Sequence, residues 1–315
     1  MITKDEFLTQ IQIEDWKRNE GRKKTSFWAS DCLRPSCDIY WRWMDEPETN
    51  PIKPSSLLLM QVGKLFEQRI VEFLRGMGEI KDAEKTDLPV KDGQFRVEME
   101  REYVPVTGYM DAVHAEGFPI EIKTHYAQTV DRMLENGQPP SDHYCHQLAV
   151  YMDFMGVDKG LMISANRANG NIFFSDMERL GDLRFRCKGY EFDLGKEYAR
   201  FRRIMENNIH EHKEPELEYL YRPDVTAALL DQYKEDKIKK AIKGERVLCD
   251  HKWRYQYSSW KEKVIEKEAS MRGVSVADLC TYTKEDTEFM MNYLNVEWRF
   301  DKNGKAKLFK IKVTK

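Results

Sequence analysis

The sequence lacks the features that mark secreted and membrane-spanning chains. Its six cysteines include no C-x-x-C pair, which argues against a disulfide scaffold and favours a reducing compartment. The first residues, MITKDEFLTQ, turn acidic at once and offer no basic and then apolar signal segment. Even the longest aliphatic runs, such as Leu57 to Met60, fall far below the length of a bilayer span. We therefore expect a soluble, cytoplasmic protein without a membrane span.

Repeats and low-complexity tracts are also missing from the 315 residues. The composition, with 41% hydrophobic and 12% aromatic residues, suits a globular chain that buries one full core and a smaller second unit. Pro215 and the acidic residues around it predict a boundary. The expected domains are therefore a core over residues 1–215 and an extension over residues 216–315, with no recognisable motif in the extension.

What the chain does contain is a run of strand-forming residues around two acids. Val104 to His114 and Phe118 to Thr124 are predicted strands, and Ala115 to Gly117 forms the turn between them. Asp111 and Glu121 are equally far in sequence from the centre of this turn. An antiparallel ladder would bring their carboxylates together, where they can share a divalent cation.

Lys123 follows Glu121 by two residues and therefore projects from the same face of the strand, while Ile120 and Ile122 project into a core on the other face. A partly desolvated lysine beside a metal ion can have a lowered pKa. In the simpler alternative, Lys123 makes an ordinary cross-strand ion pair with the two acids.

Two helices complete the pattern. Ser141 to Met155 is a predicted, largely buried helix with Ser141 as N-cap, on which Gln147 and Tyr151 lie one turn apart. The alternative for these two residues is that they are polar groups satisfied at a helix–sheet interface.

The second helix is predicted from Leu57 to Gly76, where apolar residues including Leu65, Ile70 and Phe73 recur at helical spacing. It carries Glu67, for which the alternative is a solvated surface acid.

Together these segments resemble a known family. The motifs are G-x-x-x-E at Gly63 and Glu67, G-x-x-D at Gly108 and Asp111, E-x-K at Glu121 and Lys123, and Q-x-x-x-Y at Gln147 and Tyr151. In this order and spacing they are similar to the RecB-like branch of the PD-(D/E)XK nucleases, over about residues 28 to 165. The resemblance implies an α/β, restriction-endonuclease-like core with a mixed central sheet flanked by helices, followed here by a mostly helical extension.

The resemblance also implies a Mg²⁺- or Mn²⁺-dependent deoxyribonuclease. Asp111, Glu121, the Ile122 carbonyl and Glu67 would hold the metal, although many members carry histidine at the position of Glu67. The implied catalytic residues are Asp111, Glu121, Lys123, Gln147 and Tyr151. Removal of either carboxylate, Asp111 or Glu121, is expected to leave the fold intact, because it relieves repulsion between two anions.

The Q-x-x-x-Y helix is similar to that of end-processing members, so an exonuclease acting on single-stranded DNA or duplex ends is favoured. A structure-specific endonuclease and a DNA-binding scaffold with a degenerate site remain alternatives, as does a metal-free structural protein. The extension is a candidate for clamping DNA or for joining copies of the chain into an oligomer.

Some relatives bind an iron–sulfur cluster through one cysteine near their N-terminal motif and three clustered cysteines after the core. Cys37 matches the first position, but the later sequence offers only Cys249 and the distant Cys280, with His251 as a non-cysteine candidate. Four thiolates are the usual requirement, so we expect no cluster.

Overall fold

The chain forms two compact units in the computed structural model, Met1–Glu46 with Ile52–Pro215 and Pro47–Pro51 with Glu216–Lys315. The structure describes residues 3–19, 24–82, 86, 88–91, 93–125, 127–249, 258–300 and 305–311. The short segment Pro47–Pro51 belongs to the second unit, although the sequence analysis placed it in the first. That the first unit is a nuclease domain remains a prediction.

The first unit is a mixed α/β structure built on two sheets. The smaller has the order β1-β4-β3-β2, and the larger, termed the central sheet, has the order β10-β9-β8-β7-β6-β5. Their strands are β1 Phe27–Trp28, β2 Val90–Lys91, β3 Gln94–Arg101, β4 Val104–Met110, β5 Ala112–Val113, β6 Pro119–His125, β7 Lys159–Asn166, β8 Ile172–Arg179, β9 Arg184–Cys187 and β10 Tyr190–Asp193. The central sheet is mixed, because β6 and β7 run parallel while its other neighbours run antiparallel.

Helices flank the central sheet, as the sequence predicted. They are α1 Lys4–Asn19, α2 Ser36–Trp43, α3 Pro54–Gly76, α4 Ala127–Asn136, α5 Asp142–Met155 and α6 Leu194–Ile204. α3 covers one face, where Ile70 packs in one cluster with Ile120, Ile122 and Ile163. Ile120 and Ile122 are fully buried, as alternation requires.

Several predicted boundaries needed correction. α3 begins at Pro54, because proline suits the first turn of a helix, and its Leu65 and Phe73 are exposed rather than in the core. Ser141 stands at the N-cap of α5, but its hydroxyl accepts no hydrogen bond from the helix; it contacts the Asp142 carboxylate at 3.4 Å.

The predicted strand from Val104 to His114 is divided at Asp111. Up to Met110 it pairs with β3, and from Ala112 it pairs with β6 in the other sheet. One strand thus serves both sheets, and the residue at which it changes partner belongs to neither ladder. The pairing of Ala112 with Ile120 still sets Asp111 opposite Glu121 when the register is extended by one residue.

The second unit is mostly helical and ends in a two-stranded hairpin. Its elements are α7 Ala227–Asp231, α8 Glu235–Ile242, α9 Lys261–Arg272, α10 Val276–Leu279, α11 Lys284–Leu294, β11 Val296–Phe300 and β12 Ala306–Lys310. Leu230, Ile238 and Met290 belong to the apolar cluster that joins these helices. Within the described residues of both units, no helix combines the length and the apolarity needed to cross a bilayer.

Candidate active site

The Asp111 carboxylate is held from both sheets. The Gln94 side chain donates from Nε2 to Oδ1 at 2.5 Å, and the Ile122 backbone N–H donates to Oδ2 at 2.7 Å. Phe95 pairs with Met110, so Gln94 is the next residue on β3 and faces Asp111 across the ladder. The sequence analysis did not identify Gln94.

Glu121 lies beside Asp111 and is almost completely buried, at 1% exposure. Its Oε1 atom forms an ion pair with Lys123 Nζ and accepts a hydrogen bond from Gln147 Nε2 at 2.8 Å. Its Oε2 atom is buried and has no hydrogen-bond partner. A buried carboxylate oxygen without a donor is costly, and this oxygen is therefore suited to a cation.

Gln147 and Tyr151 form a chain of hydrogen bonds that leads away from Glu121. Gln147 Nε2 also donates to the Tyr151 hydroxyl at 3.0 Å, and that hydroxyl donates to the Tyr109 carbonyl at 2.9 Å. Both side chains are thus satisfied at the interface of α5 with the sheets, the simpler of the two alternatives. Gln147 orients Glu121 through its hydrogen bond. A contact of Gln147 or Tyr151 with substrate remains a prediction.

The two motif glycines permit close approaches. A Cβ atom on Gly108 would lie 2.7 Å from Tyr151 Cε1, and a Cβ atom on Gly63 would lie 2.9 Å from Thr124 Oγ1. Gly108 therefore admits the Tyr151 ring of α5, while Gly63 lets α3 approach β6. The spacing of glycine and acid within each motif follows from this packing.

Glu67 is half-buried on α3 and interacts electrostatically with the two acids. Burial and then the Asp111 charge raise its pKa to about 7. Burial raises the pKa of Glu121 to about 8, and the pKa of Asp111 is also raised by burial. Among the residues that the structure describes, no group of three or more acidic, histidine or cysteine side chains is arranged to hold a metal ion.

Lys123 retains its proton in this setting. Burial alone would lower its pKa, but the Glu121 and Asp111 carboxylates outweigh burial, and the pKa is raised. The two neighbouring anions raise the pKa of Lys123 in the site without a cation, whereas the sequence analysis considered a lysine beside a bound metal ion. The Tyr144 ring supports the ammonium group, whose Nζ lies 5.1 Å from the ring centroid.

His125 is a second residue that the sequence analysis missed. It shares the strand face of Glu121 and Lys123, and its Nε2 atom is buried without a hydrogen-bond partner. Burial, followed by the Lys123 charge, lowers the pKa of His125 to about 4, so the imidazole is neutral at pH 7. The two-residue alternation Glu121, Lys123, His125 was the signal that points to it.

The cysteines considered for a cluster lie elsewhere. Cys37 is buried in the first unit, where its Sγ atom donates to the Pro215 carbonyl at 3.1 Å. Cys249 is buried in the second unit, and His251 lies outside the described residues. The absence of an iron–sulfur cluster remains a prediction.

Comparison with known proteins gives only distant likenesses. No family model and no curated protein matches the chain. The crystal structure of SSO0001 is similar at 16% identity over 69% of this chain and 90% of that chain, with a TM-score of 0.40. An alkaline exonuclease, LHK-Exo, from Laribacter hongkongensis is similar at 15% identity over 63% and 91%, with a TM-score of 0.36. Its complex with dAMP gives 14% identity over 59% and 87%, with a TM-score of 0.32.

The close approach at Gly108 gives a test of the packing. Gly108→Ala forces its new methyl group against the Tyr151 ring and should destabilise the fold by about 1–3 kcal/mol. Urea unfolding measures the change. Gly181→Ala is the matched control, since no atom lies within 4 Å of the added carbon. Equal unfolding midpoints for the two variants would contradict the proposed contact.

Burial of Glu121 predicts a pH dependence of stability in the absence of metal. Its pKa rises from an ordinary 4.5 to about 8 on folding, so the folded state binds the extra proton between these values. The free energy of unfolding should therefore fall as pH rises from about 5 to about 8, and less so in Glu121→Gln. Urea unfolding in EDTA across this range measures the difference. Glu98→Gln, at an exposed position of β3, should follow the wild type. Parallel curves for all three proteins would show that Glu121 does not cause the pH dependence.

Proposed function

We propose that the chain is a Mg²⁺- or Mn²⁺-dependent deoxyribonuclease whose active site is formed by Asp111, Glu121 and Lys123. The observation that most supports this function is the unpartnered Glu121 Oε2 atom, buried beside a second carboxylate and a protonated lysine. A site that served only as structure would gain stability by filling that oxygen's hydrogen-bonding capacity. Cation binding by two adjacent carboxylates accounts for the arrangement.

The donors fit a hard cation. Asp111 and Glu121 offer carboxylate oxygens, the Ile122 carbonyl follows directly on β6, and the charge of Glu67 interacts with both acids. Mg²⁺ prefers oxygen ligands and keeps several waters, so a site with two close carboxylates suffices.

When bound, such an ion polarises the phosphate and eases the deprotonation of a water. Because the pKa values of Glu67 and Glu121 are raised, ion binding would displace protons and strengthen as pH rises.

Lys123 acts in this proposal as a fixed positive charge. Without a cation in the site, the Glu121 and Asp111 carboxylates raise the pKa of Lys123, which favours its protonated form. Its Nζ can donate to a phosphoryl oxygen on which charge develops, or position the attacking water. Gln147 and Gln94 act one step back, since they hold the Glu121 and Asp111 carboxylates in place.

Among nucleases, an exonuclease on single-stranded DNA or duplex ends is the favoured form, because of the Q-x-x-x-Y helix. A structure-specific endonuclease and a non-cleaving DNA-binding scaffold are the alternatives. Labelled linear and circular DNA, single- and double-stranded, incubated with Mg²⁺, Mn²⁺ or EDTA, separates them. Products from linear DNA alone support an exonuclease, products from circles support an endonuclease, and binding without products supports the scaffold.

Carboxamide variants test the metal ligands with the least damage to the fold. Asp111→Ala would leave the buried Ile122 N–H unpaired at a cost of about 1–3 kcal/mol, contrary to the expectation that the fold tolerates its loss. Asp111→Asn and Glu121→Gln keep the shape of each side chain and should reduce Mg²⁺-dependent cleavage at least roughly a hundredfold. Asp176→Asn, an exposed acid on β8, is the control. Near-normal cleavage by either site variant would place the active site elsewhere.

Lys123→Met separates chemistry from binding. Removal of the positive charge should lower kcat by roughly a hundredfold or more, with a much smaller change in DNA affinity measured in EDTA. Lys159→Met, a half-exposed lysine on β7, should change neither quantity. A Lys123 variant that binds DNA weakly but cuts normally at saturation would assign this residue to docking.

A further inference from the structure

The hairpin at the end of the second unit is anchored at its base. Val296, at the start of β11, is 2% exposed and packs in the apolar cluster of the unit's helices. The Ile311 N–H donates to the Asn295 carbonyl at 2.9 Å. Lys310 Nζ pairs with Glu235 of α8 at 3.2 Å. These contacts fix the direction in which β11 and β12 leave the helices.

Farther from the anchor, one face of the hairpin presents aromatic rings to solvent. Val296, Trp298 and Phe300 share this face because side chains alternate along a strand. Their exposures rise along β11 from 2% to 42% and then 78%. Leu308 is directly opposite Trp298 and is half-buried. Exposure of two large rings on one short ribbon is unfavourable in water, so this face is suited to a ligand that covers it.

Positive charge lies on the other face of the same short ribbon. Arg299 lies directly opposite Lys307 on the other face of the ribbon, Lys305 precedes β12, and all three are exposed. The described part of the hairpin contains one acid, Glu297, which pairs with Arg299. In the sequence from residue 301 to residue 315 there are six lysines and one acid. The charge is therefore complementary to a polyanion.

We propose that this hairpin binds single-stranded DNA, with Trp298 and Phe300 stacking on bases and Arg299, Lys305 and Lys307 contacting phosphates. Exposed aromatic rings next to cations are the combination that single-strand binding requires. In a duplex the base faces are already stacked on one another and are closed to such rings. A second copy of the hairpin is a poor occupant of this face, because the two hairpins carry the same excess of positive charge. The site lies outside the proposed active site and does not depend on cleavage.

Fluorescence anisotropy on the full chain in EDTA tests the site without cleavage. The ligands are a labelled oligothymidylate of about 16 nucleotides, its RNA counterpart and a duplex of equal length. Trp298→Ala with Phe300→Ala should weaken oligothymidylate binding roughly tenfold to a hundredfold and leave the duplex nearly unaffected. Phe300→Ala alone, at a largely exposed position, should give a smaller loss with an unchanged unfolding midpoint. Phe289→Ala, an exposed ring on α11, is the control and should bind as the wild type.

A second variant addresses the charges. Lys305→Gln with Lys307→Gln should make the dependence of log affinity on log salt shallower by about 1 to 1.5, whereas the aromatic variants should keep the wild-type slope.

Unchanged affinity in the double aromatic variant overturns the proposal, as does an equal loss for duplex and single strand. Tighter binding to RNA than to DNA overturns the choice of ligand. If the double aromatic variant differs from the wild type only in its oligomeric state, measured by sedimentation, the face serves self-association instead. Absence of cleavage by the wild-type chain in Mg²⁺ and Mn²⁺, together with oligothymidylate binding in EDTA that the aromatic variants weaken, would remove the proposed nuclease function and leave the hairpin site standing.

Discussion

The two hydrogen bonds to the Asp111 carboxylate are the constraint on which the first unit depends. They come from Gln94 in the smaller sheet and from the Ile122 backbone in the central sheet, and they meet at the residue where one strand passes between the sheets. The same atoms therefore fix the relation of the sheets and the position of the carboxylate. Because Ile122 N–H is buried, the bond cannot be lost cheaply, and this residue is structural as well as a candidate ligand.

The electrostatics around this constraint oppose stability in the absence of a cation. Three acids, Asp111, Glu121 and Glu67, all interact with Lys123, and burial raises the pKa of each acid despite this charge. Folding therefore holds groups in an environment that penalises their charged forms. A core selected for stability alone would replace them with apolar side chains of similar size. Their joint presence favours a site that gains its stabilisation from a bound cation.

Local patterns were sufficient to predict the pairing of Asp111 with Glu121, because a turn with glycine and a two-residue alternation are both visible in sequence. They were insufficient for Gln94, whose position depends on the β3–β4 hairpin. The turn of that hairpin consists of Glu102 and Tyr103, with φ of 51° and 68°, a conformation normally signalled by asparagine and glycine. The division of a strand at Asp111 was equally hidden, since the competition between two sheets is a property of tertiary packing rather than of any local sequence.

The exposure of the terminal hairpin also depends on tertiary packing that local sequence does not reveal. Alternation along Val296 to Phe300 would by itself assign the aromatic face of β11 to a core. Of this face, Val296 is buried in the apolar cluster and Leu308 packs against it, because a two-stranded ribbon has no second layer with which to bury a face along its whole length. Trp298 and Phe300 therefore remain exposed among cations, a composition that opposes burial against another lysine-rich surface. The proposed ligand, a single nucleic acid strand, offers planar bases to these rings and phosphates to the cations of the same ribbon.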